Sequence, residues 1–336
     1  MNKPALLLIN LGTPDSPSYF DVFKYLREFL MDGRVIDVPG LLRFILVTLI
    51  ICPIRSFTSS KLYKQLWKIS DGVSPLLKNT KELTKKLNQR QNKYDVHFAM
   101  RYQKPGIQQA LDSIKKTNPS ELVVLPLFPH YASATSGSIF EEISKRLSKD
   151  WVIPSFKFIS QYYDHSSFID AWVDVAKSFN VSDYDKVIFS YHGLPNSQVD
   201  KVYQDKQCDG KNCEHEVNME NHFCYKATVY ETSRLIAEKL SLSIDKYEVT
   251  FQSRLTNNWL EPFTDKVLMS FPEKGIKKVL VFSPAFTADC LETVIEIGYE
   301  YKELFIKAGG QTLDYVPSLN FSDAWVQAII DITSSK

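Results

Sequence analysis

The chain has almost no net charge. Its 336 residues carry 40 Lys and Arg against 39 Asp and Glu, a formal +1. No global field therefore draws it to nucleic acid, and any electrostatic function has to come from local clusters. Cysteines are few and odd in number, five in all, which excludes a paired disulfide framework. The opening residues "MNKPALLLINLGTP" form too short an apolar run for a secretory leader. These features lead us to expect a reducing compartment, the cytoplasm. No phosphate-cradling loop is present either. "NLGTPDSP" holds one glycine and two prolines, so it is neither a dinucleotide fingerprint nor a P-loop.

Long apolar runs are also scarce. The most apolar stretch is "PGLLRFILVTLIIC", residues 39–52, interrupted only by Arg43 and Thr48. Its apolar centre is about 12 residues, below the ~20 that span a bilayer. Such a helix is either buried or an exposed lip that meets membrane or an apolar ligand.

Short apolar, β-branched runs do recur along the chain. Strands are predicted at Leu6–Asn10, Val96–Met100, Leu122–Leu125 and Val152–Ile159, then at Val187–Ser190, Val249–Gln252, Val279–Phe282 and Leu313–Val316. Helical patterns such as "NTKELTKKLNQRQ" and "TSRLIAEKLSL" separate most of them. Continuous apolar strands alternating with helices indicate parallel sheets of βαβ units. The two sets also match in order. "LLLINLGTP" pairs with "VIFSYHGLP", "VHFAMR" with "VTFQSR", "VVLPLF" with "VFSPAF" and "FIDAW" with "FSDAW". We therefore expect an α/β protein of two similar doubly wound, Rossmann-like lobes with a cleft between them. The expected segments are an N-terminal lobe 1–160, a C-terminal lobe 161–319 with a Cys-containing insertion 205–225, and a last helix 320–336. Ligands of such folds bind beyond the carboxyl ends of the strands.

Residues just past the strands are then the candidates. His192, in "FSYHGLP", follows an apolar strand and precedes a glycine that can turn the chain. It can accept a proton, ligate a metal or simply close a strand end. "FTADCLETVIEIGYEY" carries Asp289, Glu292, Glu296 and Glu300 with no lysine among them. At α-helical spacing they fill an arc of about 80°, with Tyr301 on the opposite, packed side. The arc is the wet face of a helix, a cation path or a proton outlet. Glu292–Glu296 and Glu296–Glu300 are like-charge i,i+4 pairs, which an ordinary solvated face avoids. Trp259 offers a flat wall for a planar ligand. Arg101 and Tyr102 suit a carboxylate and an aromatic wall, or a surface ion pair and a packed ring. Cys208, Cys213 and Cys224, with His215 and His222 nearby, form a polar insertion that can hold zinc or an iron–sulfur cluster, but without paired CxxC spacing.

Together "LLLINLGTPDSP", "MRYQKP", "PLFPHYASATSGS", "FSYHGLP", "TFQSRLTNNWLEPFTD" and "SPAFTADCLETVIEIGYEY" resemble the ferrochelatases, from residue 6 to about 325. The resemblance implies insertion of Fe²⁺ into protoporphyrin IX with release of two protons, the last step of haem synthesis, with no required cofactor and no nucleic acid. It implies His192 as proton acceptor or iron ligand, Glu292 as its partner carboxylate and Asp289 as their neighbour. Glu296 and Glu300 become a proton or metal relay on a helix that widens to π geometry. Arg101, Tyr102 and Trp259 become porphyrin-side residues. Leu11 stands where many members place a methionine over the macrocycle. Residues 41–51 become the apolar lip, with peripheral membrane contact. Some members hold a [2Fe–2S] cluster on four cysteines; here the insertion has three, and Cys52 and Cys290 lie far off in sequence. The other readings are a chelatase for cobalt or coproporphyrin, and a two-lobed tetrapyrrole- or metal-binding protein without turnover. No oligomeric state follows from the sequence.

Overall fold

A computed structural model describes residues 2–208 and 210–334. Met1, Asp209, Ser335 and Lys336, which the expected segments 1–160, 205–225 and 320–336 include, lie outside it. The chain folds as two compact units. Among the described residues, unit one takes 2–128, 132–161 and 333–334, and unit two takes 129–131 and 162–332. The last helix, Asp323–Ser334, thus falls almost wholly within unit two.

Unit one holds a parallel sheet of β1 (Ala5–Gly12), β2 (Asp95–Tyr102), β3 (Glu121–Pro126) and β4 (Ser155–Phe158), in the order β2-β1-β3-β4. Unit two repeats it with β5 (Lys186–His192), β6 (Tyr247–Gln252), β7 (Lys278–Phe282) and β8 (Thr312–Tyr315), in the order β6-β5-β7-β8. Every pairing is parallel. The first strand of each set along the chain sits inside its sheet, so it is apolar on both faces. β1 reads ALLLINLG, with Ala5 through Ile9 buried. The expected strand Val152–Ile159 is shorter, because Pro154 lacks the N–H for a ladder and Trp151, Val152 and Ile153 are exposed.

Each core forms where strands meet helices. In unit one, Leu7, Ile9 and Val124 pack with Leu111, Ile114, Ile139 and Ile143. In unit two, Ile188, Val279 and Val281 pack with Leu268, Ile297 and Phe305. Each such fully buried side chain contributes about 1.5–3 kcal/mol. The FIDAW and FSDAW matches lie in the helices Ser166–Ala176 and Asp323–Ser334, or immediately before the latter, and Trp172 and Trp325 are both fully buried. Gly12 ends β1 at φ 121°, and a Cβ there would stand 2.0 Å from the Tyr102 carbonyl oxygen, so only glycine fits.

One continuous helical segment, Gly40–Ile69, is 30 residues long. It is α-helical to Phe44, π-helical over Ile45–Ile51 and α-helical from Cys52. Val47, Cys52, Tyr63 and Leu66 pack inward, whereas Leu41, Leu49, Ile54 and Phe57 are 76%, 64%, 65% and 59% exposed. By length and composition this helix could cross a membrane, well beyond the short core read from residues 39–52.

Candidate functional site

In unit two the end of β5 delivers His192. The imidazole Nδ1 lies 2.7 Å from the Gly193 carbonyl oxygen. A carbonyl only accepts, so Nδ1 carries the hydrogen. In the neutral ring the lone pair is therefore at Nε2. The backbone around it is fixed on both sides: Tyr225 Oη donates to the His192 carbonyl at 3.0 Å, and the Gly193 N–H donates to the Gln252 carbonyl at 2.8 Å. Trp259 and Phe286 flank the half-buried imidazole, with ring centroids 6.3 and 6.5 Å away.

His192 sits opposite Gln252 in the β5–β6 register. Gln252 Nε2 in turn donates to the Glu292 carbonyl at 3.3 Å and to Glu296 Oε2 at 3.0 Å. This glutamine links the strand that carries the histidine to the helix that carries the acids.

That helix is π-helical over Glu292–Tyr301. The four acids are not equivalent. Asp289 precedes the π segment and is tied down by Asn320 Nδ2 at 2.7 Å, the Ser318 N–H at 3.1 Å and Thr293 Oγ1 at 3.3 Å. Glu292 is half-buried, and its carboxylate charge lies close to the buried Cys290 thiol. Burial, reinforced by that carboxylate, holds the thiol well above its usual range. Glu296 accepts from Gln252, from the Ser253 N–H at 3.0 Å, from Ser253 Oγ at 2.5 Å and from Tyr301 Oη at 2.8 Å. Glu300 is exposed as a residue, yet partial burial of its carboxyl, together with the Glu296 charge, pushes its pKa up.

Tyr301 corrects the sequence expectation. An arc drawn at α-helical spacing sets it opposite the acids, but the wider π turn brings its hydroxyl onto Glu296. Gln252 and Ser253 carry no signal in the sequence beyond their place at a strand end. Arg254 just beyond them pairs with Asp265 and lies over the Phe263 ring, 3.9 Å from its centroid.

Unit one gathers a second polar cluster. Arg101 Nη2 meets Asp32 Oδ2 at 2.8 Å, and Arg101 Nε donates to Ser138 Oγ at 2.7 Å. Tyr102 Oη and Ser138 Oγ donate to the same Asp32 oxygen at 2.9 and 2.5 Å. Burial alone would raise the Asp32 pKa. The bonds from Ser138, the Arg34 N–H and Tyr102, with the Arg101 charge, outweigh it and hold the carboxyl below its usual range. Burial, with the Asp32 charge, pushes the Tyr102 phenol far up. Leu11, half-buried, lies at the end of β1. Asp32 and Ser138 escaped the sequence reading because they lie 69 and 37 residues from Arg101, with no motif joining them.

The insertion brings three cysteines together. The sulfurs of Cys208, Cys213 and Cys224 all lie within 4.8 Å of one another. Among the described residues no His, Asp or Glu joins the group, and His215 and His222 stand outside it.

Residues 3–336 match the family model described as Ferrochelatase. Ferrochelatase of Coxiella burnetii (strain Dugway 5J108-111) is 42% identical over 333 residues, covering 98% of this chain and 92% of that one. Ferrochelatase of Legionella pneumophila (strain Corby) is 39% identical over 336 residues, covering 99% of each. Among solved structures, SirB from Bacillus subtilis with Fe³⁺ aligns at a TM-score of 0.56 and 11% identity, covering 98% of this chain and 94% of that one. At that identity the likeness speaks for the two-sheet fold alone.

Proposed function

The chain belongs to the ferrochelatase family and inserts Fe²⁺ into porphyrin to make haem, and from that premise we propose how its residues divide the work. The substrates are ferrous iron and protoporphyrin IX, and two pyrrole protons leave for each iron inserted. A non-catalytic binding role and a cobalt or coproporphyrin chelatase are not favoured, since the named relatives are ferrochelatases across nearly the full chain.

His192 takes the pyrrole protons. The observation that carries this assignment is the committed Nδ1, which leaves Nε2 as the one nitrogen able to accept. The Gly193 carbonyl then stabilises the imidazolium as it forms. Trp259 lies along the macrocycle and dries the histidine's surroundings. Glu292, reached from the same strand pair through Gln252, supplies the negative charge that the incoming iron and the departing protons require. Asp289 acts through its neighbours: its bonds to Asn320, Ser318 and Thr293 set where the π segment begins, and so where Glu292 stands. Glu296 and Glu300 carry protons outward. The raised proton affinity of Glu300 at the exposed end of the row supports that direction. Arg101 is already neutralised by Asp32. Tyr102, expected beside the porphyrin, is fully buried with its hydroxyl on the same carboxylate. On this strand set the porphyrin contact therefore falls to half-buried Leu11, with Arg101 and Tyr102 bracing it from behind.

Helix Gly40–Ile69 gives the protein a peripheral hold on the cytoplasmic face of a membrane, where an apolar porphyrin dissolves. Leu41, Leu49, Ile54 and Phe57 support this placement. A [2Fe–2S] cluster does not fit the cysteine trio. Such a cluster takes four ligands divided between two irons, whereas three sulfurs converge here on one point. No step of the reaction runs through it.

The test is His192→Ala, assayed by the Soret change on incubation with Fe²⁺ and protoporphyrin. Metalloporphyrin formation should be lost while porphyrin binding, followed by fluorescence quenching, persists. An active variant would sink the role given to His192.

A further inference from the structure

We propose that Cys208, Cys213 and Cys224 form a mononuclear site for a thiophilic divalent cation, Zn²⁺, separate from the iron substrate's site. Tetrahedral thiolate zinc has Zn–S bonds of about 2.3 Å, which sets its sulfurs about 3.8 Å apart. Cys213 and Cys224 are already at 3.9 Å, and all three sulfurs lie within 4.8 Å of one another. The trio therefore reaches zinc geometry by sub-ångström shifts. A disulfide is a poorer reading. It needs sulfurs about 2.05 Å apart and would leave one of three thiols unpaired.

The surroundings are those of a thiolate site. Tyr203 Oη stands 3.1 Å from Cys213 Sγ, where it can donate. A hydroxyl donor to a ligand sulfur is a usual outer contact of a metal centre. Cys224 caps the 15-residue helix Tyr225–Lys239, whose N-terminal dipole favours negative sulfur. Lys226, paired with Glu214, lies near Cys208 and Cys213.

The loop itself is held ready. Cys208 N–H donates to Asp200 at 3.0 Å, Lys211 bridges Asp205 and Glu220, and Asn221 spans the turn to the Glu216 carbonyl and the Asn218 N–H. Cys213 and Cys224 are buried and Cys208 is half-buried. With three protein ligands, the fourth position goes to water, reached from the Cys208 side. The metal fastens Cys208 and Cys213 to Cys224 at the start of the helix that also carries Tyr225, the donor to the His192 carbonyl.

The experiment is a titration of reduced, chelator-treated full-length protein with Co²⁺, then Zn²⁺, in the absence of porphyrin. Expected are sulfur-to-cobalt charge-transfer bands with tetrahedral ligand-field bands, saturating at one equivalent and bleached by Zn²⁺. Cys208→Ser should weaken binding at least 100-fold and Tyr203→Phe about tenfold. Matched far-UV circular dichroism of the variants would show that they fold. His192→Ala should leave the bands unchanged, which keeps this result independent of the reaction site. Absence of thiolate bands in the wild type, their survival in Cys208→Ser, or two irons with acid-labile sulfide per chain would overturn the proposal.

Discussion

Acidification should destabilise unit two through His130. This residue is completely desolvated, and burial pushes its pKa down to about 3. The hydrogen bonds explain why. Thr232 Oγ1 gives its own hydrogen to the Tyr163 carbonyl at 2.8 Å, so His130 Nε2, 2.9 Å from the same oxygen, must be the donor there. Nδ1 is then a bare lone pair, buried and without a partner among the described residues. A proton placed on it would be an unpaired buried N–H on a charged ring, walled by the rings of Tyr163, Tyr191 and Tyr225. In the unfolded chain the same ring titrates near 6.5. The unfolded state thus binds more protons between the two values, and stability falls as pH falls through that window. From pH 7.5 to pH 5 the loss is about 2 kcal/mol. The assay is urea unfolding at several pH values, wild type against His130→Asn, followed by tryptophan fluorescence. The substitution will shift stability by a constant amount. Only the difference in pH slope matters, and it should approach about 2 kcal/mol across that range. Parallel slopes, or an imidazole in the folded protein that titrates near 6.5 by ¹⁵N NMR, would refute the reasoning.

Other consequences are open to measurement. Removing two of the donors that hold Glu296, as Ser253→Ala with Tyr301→Phe, should lower kcat at least about tenfold with little change in porphyrin KM, given about 1.5–3 kcal/mol per bond to a charged group. An unchanged kcat would remove Glu296 from the proton route. Glu300→Gln should stabilise the fold at neutral pH. The folded pKa of Glu300 is raised, so its charged form is disfavoured there, and the advantage should vanish as pH falls through that raised value towards the ordinary glutamate range of about 4.3. Thermal melts at pH 7 and pH 4 separate the two cases. Leu49→Asp with Ile54→Asp should abolish co-sedimentation with anionic liposomes yet leave activity on detergent-dispersed porphyrin intact. Retained co-sedimentation would move the membrane contact elsewhere.

What the sequence discloses depends on the range of the interaction. A strand buried on both faces has to be apolar along its whole length, so β1, β3, β5 and β7 are visible as runs. His192 is visible because a polar ring breaks such a run just before a glycine. The membrane-length helix was only half visible. Residues 39–52 are plainly apolar, but Arg55, Lys61 and Lys64 hide the fact that the helix continues to Ile69. The polar clusters were the least legible. Asp32 reaches Arg101 across 69 residues, and Ser253 reaches Glu296 across 43, through the fold alone. Tyr301 was misplaced for a different reason: the sequence does not state its own helical pitch, and a π turn redistributes the side chains around the axis.

The repeated sheet order has a further meaning. Leu11 and His192 hold the same address in the two halves, each one residue before the glycine that ends an inner strand's motif. The halves share a backbone plan, but only the second carries an ionisable side chain at that address. The repeated plan thus presents two equivalent strand ends, one closed by a hydrocarbon side chain and the other by a titratable ring.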